Sequence, residues 1–197
     1  MGSLSIFDLK NFIDDYKSTI FVETGTYMGD GIGYANKFNF QKLYSIELIE
    51  EFYNKCKNKF IHENKINLIN DNSINGLNII LNEIKNDDRV LFWLDAHLPN
   101  FYKDTYDNDY VYNKKILIPL EEEIILIKNK KDIKNDVFII DDLRIYEKGD
   151  FVGGNWLDVI NTNIYTGIDF IHNLLGKTHD IIKDYRNEGY IICIPKK

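Results

Sequence analysis

The chain has 197 residues, 44% of them hydrophobic and 28% charged, with a formal net charge of −7 from 24 basic and 31 acidic side chains. That length suffices for one domain with a full core and falls short of two ordinary ones. An acidic chain repels phosphate backbones, which argues against nucleic acid as a partner. No run of about 18 apolar residues is present to span a membrane.

Residues 5–17 carry Ile6, Leu9, Phe12, Ile13 and Tyr16 on one helical face. Residues 19–24 read as a short buried strand, followed by a helix over 31–38. A second strand over 42–48 precedes a helix over 50–60, and a third over 66–71 precedes a helix over 73–84 that Ser73 is expected to cap. The fourth strand, 89–97, is nearly all apolar. Residues 98–118 are irregular and rich in tyrosine, and Pro119 opens a helix over 119–131 in its first turn. A fifth strand covers 136–142, and residues 179–185 and 189–195 form a hairpin across "RNEG".

Strands that are apolar throughout and alternate with helices indicate a parallel sheet covered on both faces. The predicted fold is therefore α/β: a Rossmann-like, doubly wound, mostly parallel seven-stranded sheet with a C-terminal antiparallel hairpin, forming one domain over 1–197. Cys56 and Cys193 are too few for a disulfide framework or a cysteine metal cluster. The N-terminus lacks a signal-peptide pattern, so reduced thiols and a cytoplasmic location are expected. Lys114 with Lys115, and Lys128 with Lys130 and Lys131, are the dense basic spots. Both are read as solvated faces, the second at a helix end that favours cations.

The stretch "FVETGTYMGDGIGYA" runs a strand into a helix through Gly25 and Gly29. Gly25 lets the turn pass close to a ligand, and Gly29 permits tight packing or positive φ. A dinucleotide fingerprint needs glycine where Tyr27 stands, and no G-K-[ST] follows to make a P-loop. Glu47, at the end of the next strand, stands where an acid takes the two hydroxyls of a ligand ribose. Asp71 and Ser73, after the third strand, either contact an adenine or serve the helix start.

"VETGTYMGDG" with "YSIEL" resembles the first two motifs of class I S-adenosylmethionine-dependent methyltransferases. The resemblance runs over essentially the whole chain and is closer to the metal-dependent sugar O-methyltransferases of the macrocin and aminocoumarin type. Those carry an "ETG" turn, an aromatic residue and a glycine where Tyr27 and Gly29 sit, an Asp ending strand four and a "DD" pair ending strand five. Here the last two are "WLDAH" and "IIDDLR". The resemblance implies S-adenosyl-L-methionine held by Glu23, Thr24, Gly25, Tyr27, Gly29 and Glu47. Where a DNA amino-methyltransferase would carry "[DN]PP[YF]", this chain has "LDAH".

Asp95, Asp141 and Asp142 end two strands that are neighbours in the inferred sheet, about 4.8 Å apart. Three carboxylates in one crevice repel each other unless a cation or protonation compensates. Oxygen ligands suit Mg²⁺, Mn²⁺ or Ca²⁺, with Mg²⁺ expected. Successive strand residues point to opposite faces, so Asp141 and Asp142 can share an ion only if the chain leaves the strand there. The expected chemistry is metal-assisted O-methylation of a small hydroxylated acceptor such as a sugar. Asp95 or His97 takes the hydroxyl proton. Arg144 either binds an acidic group of the acceptor or pairs with one of the aspartates. The tyrosine-rich loop, Tyr102 included, is either an acceptor-binding lid or a contact between copies of the chain. A metal-independent methyltransferase, and a ligand-binding or assembly protein that kept the fold without catalysis, are the alternatives.

Overall fold

The computed structural model describes residues 3–97, 118–155 and 167–197. Its seven strands are β1 (Ile20–Thr24), β2 (Lys42–Glu47), β3 (Ile66–Asn70), β4 (Val90–Leu94), β5 (Val137–Ile140), β6 (His179–Asp184) and β7 (Tyr190–Pro195). They form one sheet in the order β3-β2-β1-β4-β5-β7-β6. The first five are mutually parallel, and β7 runs antiparallel to both β5 and β6. This is the doubly wound sheet with a terminal hairpin that the alternating pattern predicts. No helix among the described residues is long and apolar enough to cross a membrane.

Alternation along the central strands divides the core in two. Val22, Phe92, Phe138 and Ile140 face one layer, packed with α4 (Ser73–Glu83), α5 (Leu120–Lys130) and α6 (Asp169–Leu175). Phe21, Leu91, Trp93 and Ile139 face the other, with α1 (Leu9–Tyr16), α2 (Asp30–Ala35) and Phe60 beyond the end of α3 (Glu50–Lys59). Phe92 and Phe138 stack with centroids 5.0 Å apart and planes 11° from parallel. Truncating one such buried ring costs about 3–5 kcal/mol. Strand order reverses between β1 and β4, which opens a crevice at their carboxyl ends.

Four local expectations change. Strand β4 ends at Leu94, so Asp95 and His97 lie beyond it. The cap of α4 is Asn72, whose side chain accepts the Asn75 amide, rather than Ser73. Helix α6 was not read from the sequence; its apolar residues Ile171 and Leu175 are one turn apart on a seven-residue element. Lys131 is not solvated: it is buried and its ammonium lies 3.1 Å from the Asp136 carboxylate. Residues 98–117 of the tyrosine-rich segment, with Tyr102, Lys114 and Lys115, lie outside the described residues.

Candidate active site

The turn after β1 is built by its own backbone. Gly25 has φ +86°, and a Cβ there would stand 2.6 Å from the carbonyl oxygen of Asp95. Glycine is needed because the β1 turn presses against the end of β4 at a backbone angle that other residues rarely adopt. Tyr27 also has positive φ, at 47°. Its amide donates to Glu47 Oε2 at 2.6 Å, while the Ile49 amide donates to Oε1 at 2.8 Å. Glu47 thus clamps the β1 turn to the β2 turn. Burial raises its pKa, and these amides oppose the rise. Gly29, at φ +74°, faces helix packing: a Cβ there would come within 2.8 Å of the Phe60 ring and 2.9 Å of Cys56 Sγ. The Tyr27 ring is 41% exposed and meets Phe52 edge-on at 4.7 Å.

The other residues expected around a cofactor are engaged elsewhere. Glu23 is buried beneath α2, where it accepts from the Ser45 hydroxyl and the Ile32 amide. A Cβ on Gly31 would stand 2.0 Å from its Oε1. Burial pushes the Glu23 carboxyl up to about 8. Thr24 is buried, and its Oγ1 accepts the Asp95 amide at 3.3 Å. Asp71 accepts from the Asn72 amide and from Asn75 Nδ2, at 2.8 and 2.9 Å, so it organises the start of α4.

At the ends of β4 and β5 the side chains face one another. His97 Nε2 lies 2.5 Å from Asp142 Oδ2 and 3.6 Å from Asp95 Oδ1. One ligand atom from each of Asp95, His97 and Asp142 falls within 4.8 Å of the others. The chain does leave the strand at the aspartate pair: Asp142 is left-handed, with φ 57° and ψ 51°, and a 3-10 turn over Leu143–Ile145 follows. That rotation gives the two aspartates different partners. Asp142 enters the cluster, whereas Asp141 Oδ1 accepts the Asp142 amide at 2.8 Å. The ligand atoms brought together are therefore those of Asp95, His97 and Asp142, with Asp141 beside them on the Asp142 amide. Arg144 takes the second of its two expected roles, donating from Nε to Asp142 Oδ1 at 2.7 Å.

The electrostatics follow from this crowding. Burial, and then repulsion from Asp141 and Asp142, holds the Asp95 carboxyl well above the usual range. Burial also drives Asp141 up, to about 8, aided by Asp142. Burial works the same way on Asp142, but His97 and Arg144 outweigh it and keep its pKa low. For His97, burial disfavours the imidazolium and the Asp142 carboxylate outweighs that, raising its pKa. The three donors match an ion with mixed nitrogen and oxygen ligands.

Glu123 was not singled out from the sequence. It is fully buried on α5, and its carboxyl is bonded by the hydroxyls of Ser73 and Thr24 while Oε1 has no partner. Burial pushes it up to about 7. Its helical spacing supplies a signal, since Leu120, Ile124 and Ile127 share its buried face.

Compared by sequence, the chain matches no family model and no curated protein. Compared by fold, it matches solved structures. One is an O-methyltransferase of Bacillus cereus in complex with SAH, at 14% identity and TM-score 0.61, covering 95% of this chain and 79% of that one. Another is the O-methyltransferase TomG of Streptomyces achromogenes, involved in tomaymycin synthesis and solved with SAM, at 12% identity and TM-score 0.59, covering 96% and 78%. An rRNA methylase of Streptococcus thermophilus matches at 12% identity and TM-score 0.52, covering 100% and 98%. The chain has the fold of class I methyltransferases.

Proposed function

We propose that the chain is an S-adenosylmethionine-dependent methyltransferase acting on a hydroxyl of a small acceptor such as a sugar, with a divalent cation assisting. The observation that carries this reading is adjacency. The glycine turn at Gly25 and the Asp95–His97–Asp142 cluster share one crevice edge, with the Gly25 Cβ position 2.6 Å from the Asp95 carbonyl. The fold neighbours solved with SAM or SAH support the donor.

In this reading the Gly25 turn cradles the donor, and Glu47 takes its ribose hydroxyls. Glu47 already accepts the Tyr27 and Ile49 amides, which hold its carboxylate in place at the crevice edge. Asp95, His97 and Asp142 would hold the cation, which when bound polarises the acceptor oxygen and lowers its pKa. Asp95 accepts the hydroxyl proton. The acceptor oxygen attacks the sulfonium methyl in line: the O–C bond forms, the S–C bond breaks, and the electron pair stays on sulfur. Catalysis is then chiefly orientation. A metal-independent route is favoured by one observation. Both Asp142 oxygens already have partners, Arg144 Nε and His97 Nε2, so a neutral His97 held through Nε2 by Asp142 would act as a base through Nδ1.

Calorimetry with S-adenosylhomocysteine, and conversion of S-adenosylmethionine to it in a screen of sugar acceptors, test the reading. Binding is expected, and turnover should stop with chelator and return with Mg²⁺ or Mn²⁺. Asp95→Asn should lower turnover by about 10²–10⁴-fold while leaving donor binding intact. Turnover that persists in chelator selects the His97 route. Absence of donor binding ends the methyltransferase reading. The acidic surface, a cytoplasmic location and assembly with further copies stand as companion proposals.

A further inference from the structure

Glu123 has no task in the reading above, although it is fully buried and bonded to two residues at the crevice edge. We propose that Glu123 is a positioning residue for the donor: its carboxyl holds the hydroxyls of Thr24 and Ser73, and so fixes the ends of β1 and β4 and the start of α4 in the arrangement that the donor meets. This rests on the methyltransferase reading and adds to it a residue that acts from beneath the crevice.

Strand parity brings the three side chains together. Ile20 and Val22 pack in the layer that holds α4 and α5, and Thr24, two residues beyond Val22, points the same way. Ser73 is the first residue of α4. Glu123 stands on the buried face of α5 with Leu120, Ile124 and Ile127. The three therefore form a polar spot at the carboxyl-end rim of a layer built largely from apolar side chains.

The fold alone gives little reason for an acid there. The two hydroxyls bond the carboxyl, and its Oε1 has no partner. Burying an acid with so little compensation costs stability, and a leucine would fill the same layer at less cost. What the carboxyl supplies is direction. A hydroxyl that donates its one hydrogen to Glu123 can only accept elsewhere. Thr24 Oγ1 accepts the Asp95 amide at 3.3 Å, beside the main-chain bond from that amide to the Thr24 carbonyl at 3.1 Å.

This chain of bonds ends where the donor is expected. Thr24 immediately precedes Gly25, whose Cβ position lies 2.6 Å from the Asp95 carbonyl oxygen. Glu123, Thr24 and the Asp95 amide thus lock β1 to β4 where the two press together. The second hydroxyl fits the same account: Ser73 is turned to Glu123, and the capping of α4 falls to Asn72.

Calorimetry of the full chain with S-adenosylhomocysteine, chemical denaturation, and hydrogen exchange of the Asp95 amide test this together. Glu123→Leu fills the layer without an acceptor. It should lower affinity about tenfold and speed Asp95 exchange. Stability at pH 7 should hold, because the acid removed was itself costly to bury. Glu123→Gln keeps an acceptor oxygen and should return affinity to within about threefold of wild type. Thr24→Val should reproduce the loss seen in Glu123→Leu, and the double variant should lose no more than either alone, since both cut one chain of bonds. Affinity that falls only in step with stability, or losses that add in full, overturns the assignment. The two readings fail separately. Wild type that binds no S-adenosylhomocysteine ends the methyltransferase reading. Unchanged Asp95 exchange in Glu123→Leu ends the role of Glu123, whether or not the donor binds.

Discussion

At the ends of β1 and β2, the acids hold the protein's own backbone and hydroxyls. Glu47 binds the amides of Tyr27 and Ile49, and Glu23 binds Ser45 and the Ile32 amide. At the ends of β4 and β5, Asp95, His97 and Asp142 are turned toward one another across 4.8 Å or less. Under the proposed methyltransferase reading, the difference marks a division of labour. A cradle made of main chain needs fixed shape, so its carboxylates serve as clamps and its glycines admit close approach. A reacting centre needs charge that can be shared with an ion or a proton, so its side chains remain clustered despite their repulsion. The first half should respond to substitution through folding and donor affinity together, and the second through chemistry alone.

Gly25→Val should break the first half most severely. The added side chain meets the Asp95 carbonyl, 2.6 Å from the Cβ position, at φ +86°. Donor binding should vanish, and stability should fall by about 3 kcal/mol or more, because both strain and collision are with the chain itself. The turn therefore cannot be altered at the donor's expense alone. Chemical denaturation followed by calorimetry checks it, and a variant with wild-type stability would show that the β1 turn and β4 do not press together.

This contact was only half legible in the sequence. Gly25 announces a close approach, but not that the approaching group is the neighbouring strand's carbonyl. The alternation of strands with helices, the adjacency of β4 and β5 and the place of Glu47 at the end of β2 could be read from apolar runs and spacing. The cluster could be read only in part. Asp95 and His97 share a face by strand parity, but pairing ends at Leu94, so the register of β4 with β5 no longer fixes which aspartate meets them. The left-handed residue at Asp142 then brings that carboxylate to His97, and nothing in "DD" encodes it. Glu123 was hidden by company: Glu121, Glu122 and Glu123 all read as first-turn acids favoured by the helix dipole, yet the third lies on the buried face.

Glu123 sits behind both halves, joined to Thr24 and Ser73, and gives the comparison a pH axis. Its pKa rises from 4.5 to about 7 on folding, so the unfolded chain releases this proton first. Stability is thus fully present below the unfolded value and declines as pH climbs toward 7, by up to about 3 kcal/mol if nothing relaxes. Glu123→Gln should flatten that part of the profile and gain on wild type between pH 5 and 8. Thermal melts across this range decide it. Equal slopes for variant and wild type would mean the buried carboxyl has found another partner.

Glu47 supplies the mildest and most discriminating test, because two roles are assigned to one carboxylate. As a clamp it fixes the Tyr27 and Ile49 amides, and as a ligand it would take the donor's ribose. Glu47→Ala removes both, and each charge-assisted contact contributes about 1.5–3 kcal/mol. If both roles hold, S-adenosylhomocysteine affinity should fall roughly 10- to 150-fold, with a separate loss of stability. Glu47→Gln divides them: its amide oxygen still accepts one backbone N–H, so the clamp is half retained, but the charge that favours ribose hydroxyls is gone. Affinity should then drop by about tenfold while stability falls less than in Glu47→Ala. Measuring both variants by calorimetry and denaturation separates the outcomes. If affinity tracks stability in the two variants, Glu47 is a clamp alone, and the donor half of the crevice is made by main chain without an acid of its own.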